Sequence, residues 1–182
     1  MADLSASTGT WDIDPTHSTI GFAARHAMIA KVRGRFAEFT GSITMDGANP
    51  AGSSADLTIV TASITTENDD RDGHLRSPEF LDVETFPTIT YTSTSVVANG
   101  STFTVTGDLT IRGITRPVVV EWELLGIGQD PWGGTRMGFE GKAEISRKDF
   151  GLTWNVALEA GGVLVSDNVQ LLFDVEAVKR AS

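Results

Sequence analysis

Hydrophobic and polar positions alternate with a period of two through most of the chain, the pattern of strands with one buried face. Ile20, Phe22 and Ala24 share a face, with His26 at the end of the row. Phe39, Gly41, Ile43 and Met45 form a second row, and Leu57 and Ile59 open a third. The third row switches face at Val60, Ala62 and Ile64, which predicts a bulge there. Ile89 and Tyr91, and later Val97, follow a charged interval. The second half is more regular. Phe103, Val105, Gly107, Leu109 and Ile111 alternate with polar residues, as do Val118, Val120, Trp122 and Leu124. Met137, Phe139, Gly141, Ala143 and Ile145 make another row, and Val169, Leu171, Phe173, Val175 and Ala177 the last.

Turn-forming residues fall between the rows, at Asp14-Pro15, Gly47 to Ser53, Asn99-Gly100, Arg112-Gly113 and Asp130 to Gly134. Asn99-Gly100-Ser101 also fits a glycosylation acceptor, but Asn-Gly between two alternating runs is the residue pair of a tight hairpin. The spacing predicts about eight strands in an all-β antiparallel sheet, closed into a barrel or folded into a sandwich. No composition break divides the chain, so one domain is expected over residues 10–180, preceded by a flexible tail over 1–9.

Three rows carry a glycine, at Gly41, Gly107 and Gly141. An inward glycine leaves space where a side chain would fill the core, and it also lets a strand bend at a barrel corner. Since a barrel of eight strands is either packed solid or holds one small ligand, these positions point to a cavity or to curvature.

Charge narrows the function. The formal net charge is −10 and the pI about 4.6. That balance opposes nucleic-acid binding, which relies on displacing phosphate counterions from a basic surface, and by the same logic opposes an anionic membrane surface. The chain has no cysteine, so disulfides and thiolate metal sites are excluded. The segment MADLSASTGT lacks the basic and apolar regions of a signal peptide, and no apolar run approaches membrane-helix length, so a cytoplasmic protein with no stable membrane insertion is expected.

Half of the net charge sits in one stretch, Thr65 to Pro87, where Glu67, Asp69, Asp70, Asp72, Glu79, Asp82 and Glu84 face only Arg71 and Arg76. From Asn68 the spacing comes close to a calcium-binding loop, with Asp70, Asp72, Gly73 and Glu79 at the matching positions. The β-branched run Leu57 to Thr66 argues against it, because such a loop needs an entering helix. A second reading accounts for more of the residues. Asn68 or Asp69 caps a short helix with carboxylates in its first turn, and Ser77-Pro78 starts another turn. Leu75, Phe80, Leu81, Val83 and Phe86 then form an apolar set that must be buried, and the nearest apolar surface is the open end of a barrel. The segment around 68–82 is read as a lid.

Other candidate chemistry is sparse. His17 and His26 stand at spacings that place them on opposite strand faces, and His74 lies in the charged stretch. No nucleophile elbow and no pair of carboxylates along an apolar row accompany them. His17, after Asp14-Pro15, reads as a turn residue bonded to local backbone. Arg25, Lys31, Arg33 and Arg35 form a basic cluster free of acids, suited to a pyrophosphate headgroup or to a solvated rim opposite the acidic lid. Arg147-Lys148 reads as a turn that pins the barrel end.

Four ordered blocks carry a resemblance. DPTHSTIGFAARH with GRFAEFTGSI, RDGHLRSPEFLDVETFPTITY, GDLTIRGITRPV and SRKDFGL are together similar to the YceI-like family, over about Thr10 to Val178. The resemblance implies a lipocalin-like barrel with an elongated apolar cavity. It also implies a polyisoprenoid ligand, such as a prenyl pyrophosphate or the tail of an isoprenoid quinone, and a homodimer. Many members of the family are periplasmic and carry a signal peptide.

The expected activity is therefore non-enzymatic binding of a long apolar lipid, with no metal and no cofactor. Phe22, Phe39, Phe103, Trp122, Phe139 and Phe173 are expected to line the cavity, shaped by Gly41, Gly107 and Gly141. Arg25, His26 and Arg35 are candidates for a polar headgroup, and Leu75, Phe80 and Leu81 for the lid. Two other readings stand beside it: an enzyme using His26 or His17 on a small apolar substrate, and a stress-response structural module with a packed core.

Overall fold

A computed structural model describes residues 4–181. Its wall is built from eleven strand segments: β1 (Gly9–Ile13), β2 (Thr19–His26), β3 (Ala30–Phe36), β4 (Phe39–Met45), β5 (Ser54–Val60), β6 (Ile64–Thr65), β7 (Thr88–Asn99), β8 (Thr102–Ile111), β9 (Ile114–Gln129), β10 (Thr135–Ser146) and β11 (Val165–Lys179). One α-helix, α1 (Asp69–Arg76), interrupts them. All pairings are antiparallel, and the ring closes because β1 pairs both β4 and β11.

Six of the segments are halves of three broken staves, so the wall is an eight-strand barrel. β1 and β2 share β11 as neighbour and break at Asp14 to Ser18, where Pro15 offers no N–H to a ladder. β3 and β4 break at Ala37-Glu38. β5 and β6 are separated by a 3₁₀ turn over Thr61–Ser63. This turn corrects the bulge expected at Val60, Ala62 and Ile64. Val60 and Ala62 are exposed, and the inward row passes from Ile59 across the turn to Ile64.

Val97 is a second correction: β7 shifts register between Ser93 and Ser95, so Val96 is buried and Val97 is exposed. The other long rows read from the sequence face inward. Phe103, Val105, Leu109 and Ile111 of β8, Val118 and Val120 of β9, and Val175 and Ala177 of β11 are all buried. The interior divides into two apolar regions along the barrel axis. One lies toward α1 and includes Ile20, Phe39, Ile59, Ile89, Leu109 and Val175. The other lies at the opposite end around Trp11, Met45, Phe103, Met137 and Ala177.

That opposite end is closed by residues expected in a flexible tail. Leu4 and Ser7 are buried, and residues Ser5–Ser7 form a 3₁₀ turn. The Trp11 indole, fully buried, donates to the Ser7 carbonyl at 2.8 Å. From Leu4 onward the segment is thus packed against the barrel, because an apolar side chain and an indole N–H both find partners there; the tail's first three residues lie outside those described. Removing a side chain as large and buried as Trp11 costs about 3–5 kcal/mol.

Candidate functional site

Between the two apolar regions the barrel encloses a cavity of about 270 Å³. Of the six aromatic residues expected on its wall, Phe22, Phe103, Trp122, Phe139 and Phe173 line it. Phe39 does not: it is buried in the apolar region toward α1, beside its cross-strand partner Ile59. Four of the rings form a continuous series along one wall. Trp122 stacks on Phe173 at 5.3 Å and meets Phe139 edge-on at 6.3 Å, and Phe139 meets Phe103 edge-on at 6.1 Å. Such geometry suits aromatic quadrupoles and keeps the rings in place without polar partners.

The glycines act through these rings. A Cβ on Gly141 would stand 2.4 Å from the Trp122 ring, and one on Gly107 would stand 2.4 Å from the Tyr91 ring. A Cβ on Gly41 would stand 2.6 Å from the Asp56 carbonyl. The missing side chains are therefore not open space, as a cavity-shaping role suggested. At Gly107 and Gly141 the vacancy is filled by an aromatic ring lying against the wall, which keeps that ring out of the lumen. Gly34 does the same for Phe22, at 2.3 Å. At Gly41 the close neighbour is backbone, so glycine there permits two strands to approach.

Polar groups on the wall are few: Ser53, Ser54 and Asp56 are partly or fully exposed, and Tyr91 and Arg147 are already engaged. The Tyr91 hydroxyl donates to the carbonyls of Val105 at 3.2 Å and Val118 at 3.4 Å. Desolvation, with the Asp108 carboxylate nearby, pushes its pKa up to about 12. Arg147 is buried, and its guanidinium donates to the carbonyls of Leu152 at 2.6 Å, Trp154 at 2.9 Å and Ser166 at 2.9 Å. Burial lowers its pKa against the opposing Asp167. Arg147 therefore pins the segment after β10 across the barrel end, as the sequence suggested, and its donors are not available to a ligand. The burial itself had no signal in the sequence, where Arg147-Lys148 looks like any surface basic pair.

The charged stretch covers this end. Asn68 caps α1 by accepting from the Arg71 amide at 2.9 Å. α1 continues through Gly73 to Arg76, and after Ser77 the chain forms the turn read from Ser77-Pro78. Leu75, Phe80 and Leu81 line the cavity from the lid side. The His74 ring meets Phe80 and Trp154 edge-on at 5.0 and 4.6 Å, and its Nε2 bonds Glu79 at 2.6 Å.

Two anchors hold the lid. The buried Asp72 carboxylate accepts from the Thr66 amide at 2.8 Å and hydroxyl at 2.5 Å. Burial pushes the Asp72 carboxyl up, but the bonds from Thr66, with Thr65 and the nearby Arg76, outweigh it and hold the group below the usual range. Arg76 donates to the carbonyls of Ala62 and Ile64 at 2.9 and 2.7 Å. Asp72 and Glu79 thus face different partners, and the carboxylates of the calcium-like spacing do not converge.

The remaining candidates lie off the cavity. Arg25 and Arg35 are exposed and, by the alternation of β2 and β3, point outward. Arg25 flanks a shallow outer groove with Lys31 and Gln170. His26 is exposed at the end of β2. Arg25 and Arg35 are turned to solvent because their neighbours Phe22 and Ala24 take the inward row, whereas His26 ends that inward row and is exposed where β2 leaves the barrel; none of the three lines the cavity. His17 bonds the Asp14 carboxylate at 2.9 Å, not only local backbone. Asp14, His17 and Glu176 approach closely enough to suggest a metal site, but Arg136 already occupies it, donating to Asp14, Asp130 and Glu176. No histidine lines the cavity among the described residues.

A family description of the YceI-like domain matches residues 11–177. The chain belongs to the YceI-like family. Its relatives include a UPF0312 protein of Pseudomonas paraeruginosa, 42% identical over 93% of this chain and 85% of the relative. Protein YceI of Salmonella newport is 40% identical over the same shares. Among solved structures, BcnA of Burkholderia cenocepacia shares the YceI-like barrel with a TM-score of 0.78 at 26% identity, covering 90% of this chain and 98% of that one. A polyisoprenoid-binding domain from Saccharophagus degradans shares the fold alone, with a TM-score of 0.72 at 17% identity over 93% and 98%.

Proposed function

We propose that this YceI-like protein is a non-enzymatic carrier that holds a long apolar lipid, a polyisoprenoid, in its barrel. The observation that carries the reading is the wall. A series of aromatic rings and aliphatic side chains surrounds the cavity; Tyr91 and Arg147 on it are bonded to backbone, and its other polar residues, Ser53, Ser54 and Asp56, are partly or fully exposed. Such a lumen offers burial of apolar surface, worth about 25 cal/mol per Å² before the costs of association. It offers no free donor for a buried phosphate. An isoprenoid chain therefore lies inside, and any polar head stays at the lid end in solvent. The polyisoprenoid named for the structural relative from Saccharophagus degradans supports the ligand class.

The enzyme reading required a histidine in the cavity, and His17, His26 and His74 all stand elsewhere, which weighs for a carrier. The test is native mass spectrometry of the purified protein, followed by organic extraction and lipid identification. A retained or readily loaded prenyl lipid is the expected result, and the same spectrum reads the proposed homodimer. An apo mass that takes up no added prenyl lipid would overturn the carrier.

A further inference from the structure

The loop joining β2 to β3 combines two features that the lid and lumen do not explain. Met28 and Ile29 at its apex are 61% and 82% exposed, among the most exposed large apolar side chains of the described chain. The turn that carries them adopts an unfavourable backbone conformation. Ala27 and Met28 have φ of 50° and 62°, the left-handed values of a tight hairpin turn that favours Asn-Gly. The turn after Asn99 uses Gly100 at such a position, with φ 65°. The β2–β3 turn instead puts a methyl group and a thioether there, and residues held in this region are characteristic of functional surfaces.

The strands beneath the apex are basic. From Thr19 to Ala37 there is no Asp or Glu, while Arg25, Lys31, Arg33 and Arg35 are all exposed. Arg25, Lys31 and Arg33 lie on cross-strand positions of the same hairpin, Arg25 opposite Lys31 and Arg33 opposite Ala23. Lys31 bonds the neutral Gln170 at 3.3 Å, and no ion pair forms on Arg25, Arg33 or Arg35 among the described residues. The acid in the adjoining groove, Glu144, is bonded by Asn168 at 3.1 Å. Elsewhere the chain compensates its arginines: Arg136 meets three carboxylates and Arg180 meets Asp12.

The hairpin also stands at the lid end. His26 pairs with Val165, and the Ala27 amide donates to the Leu164 carbonyl at 2.7 Å, next to the segment that Arg147 pins. Val156, 46% exposed, adds an apolar side chain in the neighbouring loop.

We infer that the β2–β3 hairpin docks the protein on an anionic lipid bilayer, with Met28 and Ile29 entering the headgroup region and Arg25, Lys31 and Arg33 meeting lipid phosphates. The apex is two residues wide, far less than the roughly 800 Å² per partner of a stable protein interface, but it suits insertion between headgroups. The acidic remainder of the molecule is repelled by the same surface, so the field orients the lid end toward the membrane. Whole-chain charge argued against such a surface; the distribution of the charge reverses that for one face. The inference does not rest on what occupies the barrel.

The experiment is co-sedimentation of the full chain with vesicles of phosphatidylcholine alone and of phosphatidylcholine mixed with phosphatidylglycerol, across a salt series. Binding is expected only to the phosphatidylglycerol vesicles, falling as salt rises. Arg25→Gln with Arg33→Gln should weaken it about 25-fold, or about five-fold per charge removed at the surface. Met28→Ser with Ile29→Ser should weaken it at unchanged charge. A thermal melt of each variant confirms folding, since all four positions are exposed. No binding to either vesicle, equal binding to both, or undiminished binding by either folded variant overturns the docking surface. Each outcome is read without reference to bound cargo, so it leaves the carrier reading to its own test.

Discussion

Trp122 lies flat over Gly141, its direct partner across β9 and β10, with a ring carbon 2.4 Å from where a Cβ would stand. The lumen exists on this side because the smallest residue faces the largest. Gly141→Ala is therefore expected to push the indole off the wall and toward Phe173, narrowing the cavity. Overpacking of this kind costs about 1–3 kcal/mol, so the variant should fold with a lower melting temperature. Its capacity for a long prenyl lipid, read by native mass spectrometry, should fall more than its stability. Undiminished loading in a folded variant would count against a lumen bounded by Trp122.

Tyr91 is the chain's only tyrosine, so it can be titrated alone by its absorbance. With the phenol desolvated and close to Asp108, its midpoint should lie near 12, against about 10 for a free tyrosine. Below about pH 10 the phenol is neutral in both folded and unfolded chains. Above it the unfolded chain ionises first, so stability should decline between about pH 10 and 12. Tyr91→Phe removes the titration and should flatten that decline. A midpoint near 10 would show the wall around Tyr91 to be wet.

The lid is tied down through Asp72. Asp72→Ala leaves the Thr66 amide without its acceptor and should cost about 1–3 kcal/mol, mostly as local opening of residues 66–86. Faster hydrogen exchange there, and faster exchange of bound lipid, are the expected readouts. Unchanged lipid exchange alongside faster amide exchange would separate the lid from ligand entry.

Acid should loosen the opposite side of the barrel end through Asp14 and Asp130. His17 and Arg136 hold the Asp14 carboxyl well below the usual carboxylate range, and Arg136 with the Gly134 amide does the same for Asp130. Carboxyls depressed in the folded state contribute stability above their unfolded value, near 3.9, and lose it as pH falls below that. Arg136→Gln leaves three acids without their shared cation. It should lower the melting temperature at neutral pH, by less than the loss of a fully buried pair would, because the network is partly exposed. The deficit should shrink in denaturant unfolding as pH falls below the unfolded value and through the depressed folded values, where the carboxylates become protonated in both states.

The regular rows of β8 to β11 were legible because each runs ten residues or more with one face dry. The aromatic series on the cavity wall follows from those rows, since Trp122, Phe139 and Phe173 occupy inward positions of adjacent strands. The Asn68 cap was legible too, as a local hydrogen bond needs only local sequence. Long-range facts were not. Phe39 has the same alternation as Phe22, and only its place in the closed barrel decides that it is buried off the cavity wall. The glycines were seen as gaps, but what fills each one, the Tyr91 and Trp122 rings at Gly107 and Gly141 and the Asp56 carbonyl at Gly41, comes from a different strand. Leu4 to Ser7 looked like a tail because their partners, Trp11 and the far end of the barrel, come together only in the closed ring.

That ring closes between β1 and β11, where Asp12 and Arg180 form an ion pair across 168 residues of sequence. During synthesis, the aromatic wall of β8 to β10 is made before β11 exists to seal it. Contacts so distant in sequence form slowly, so the apolar face stays open to its surroundings until the last stave arrives. Until then that face is an unroofed trough rather than a lidded barrel.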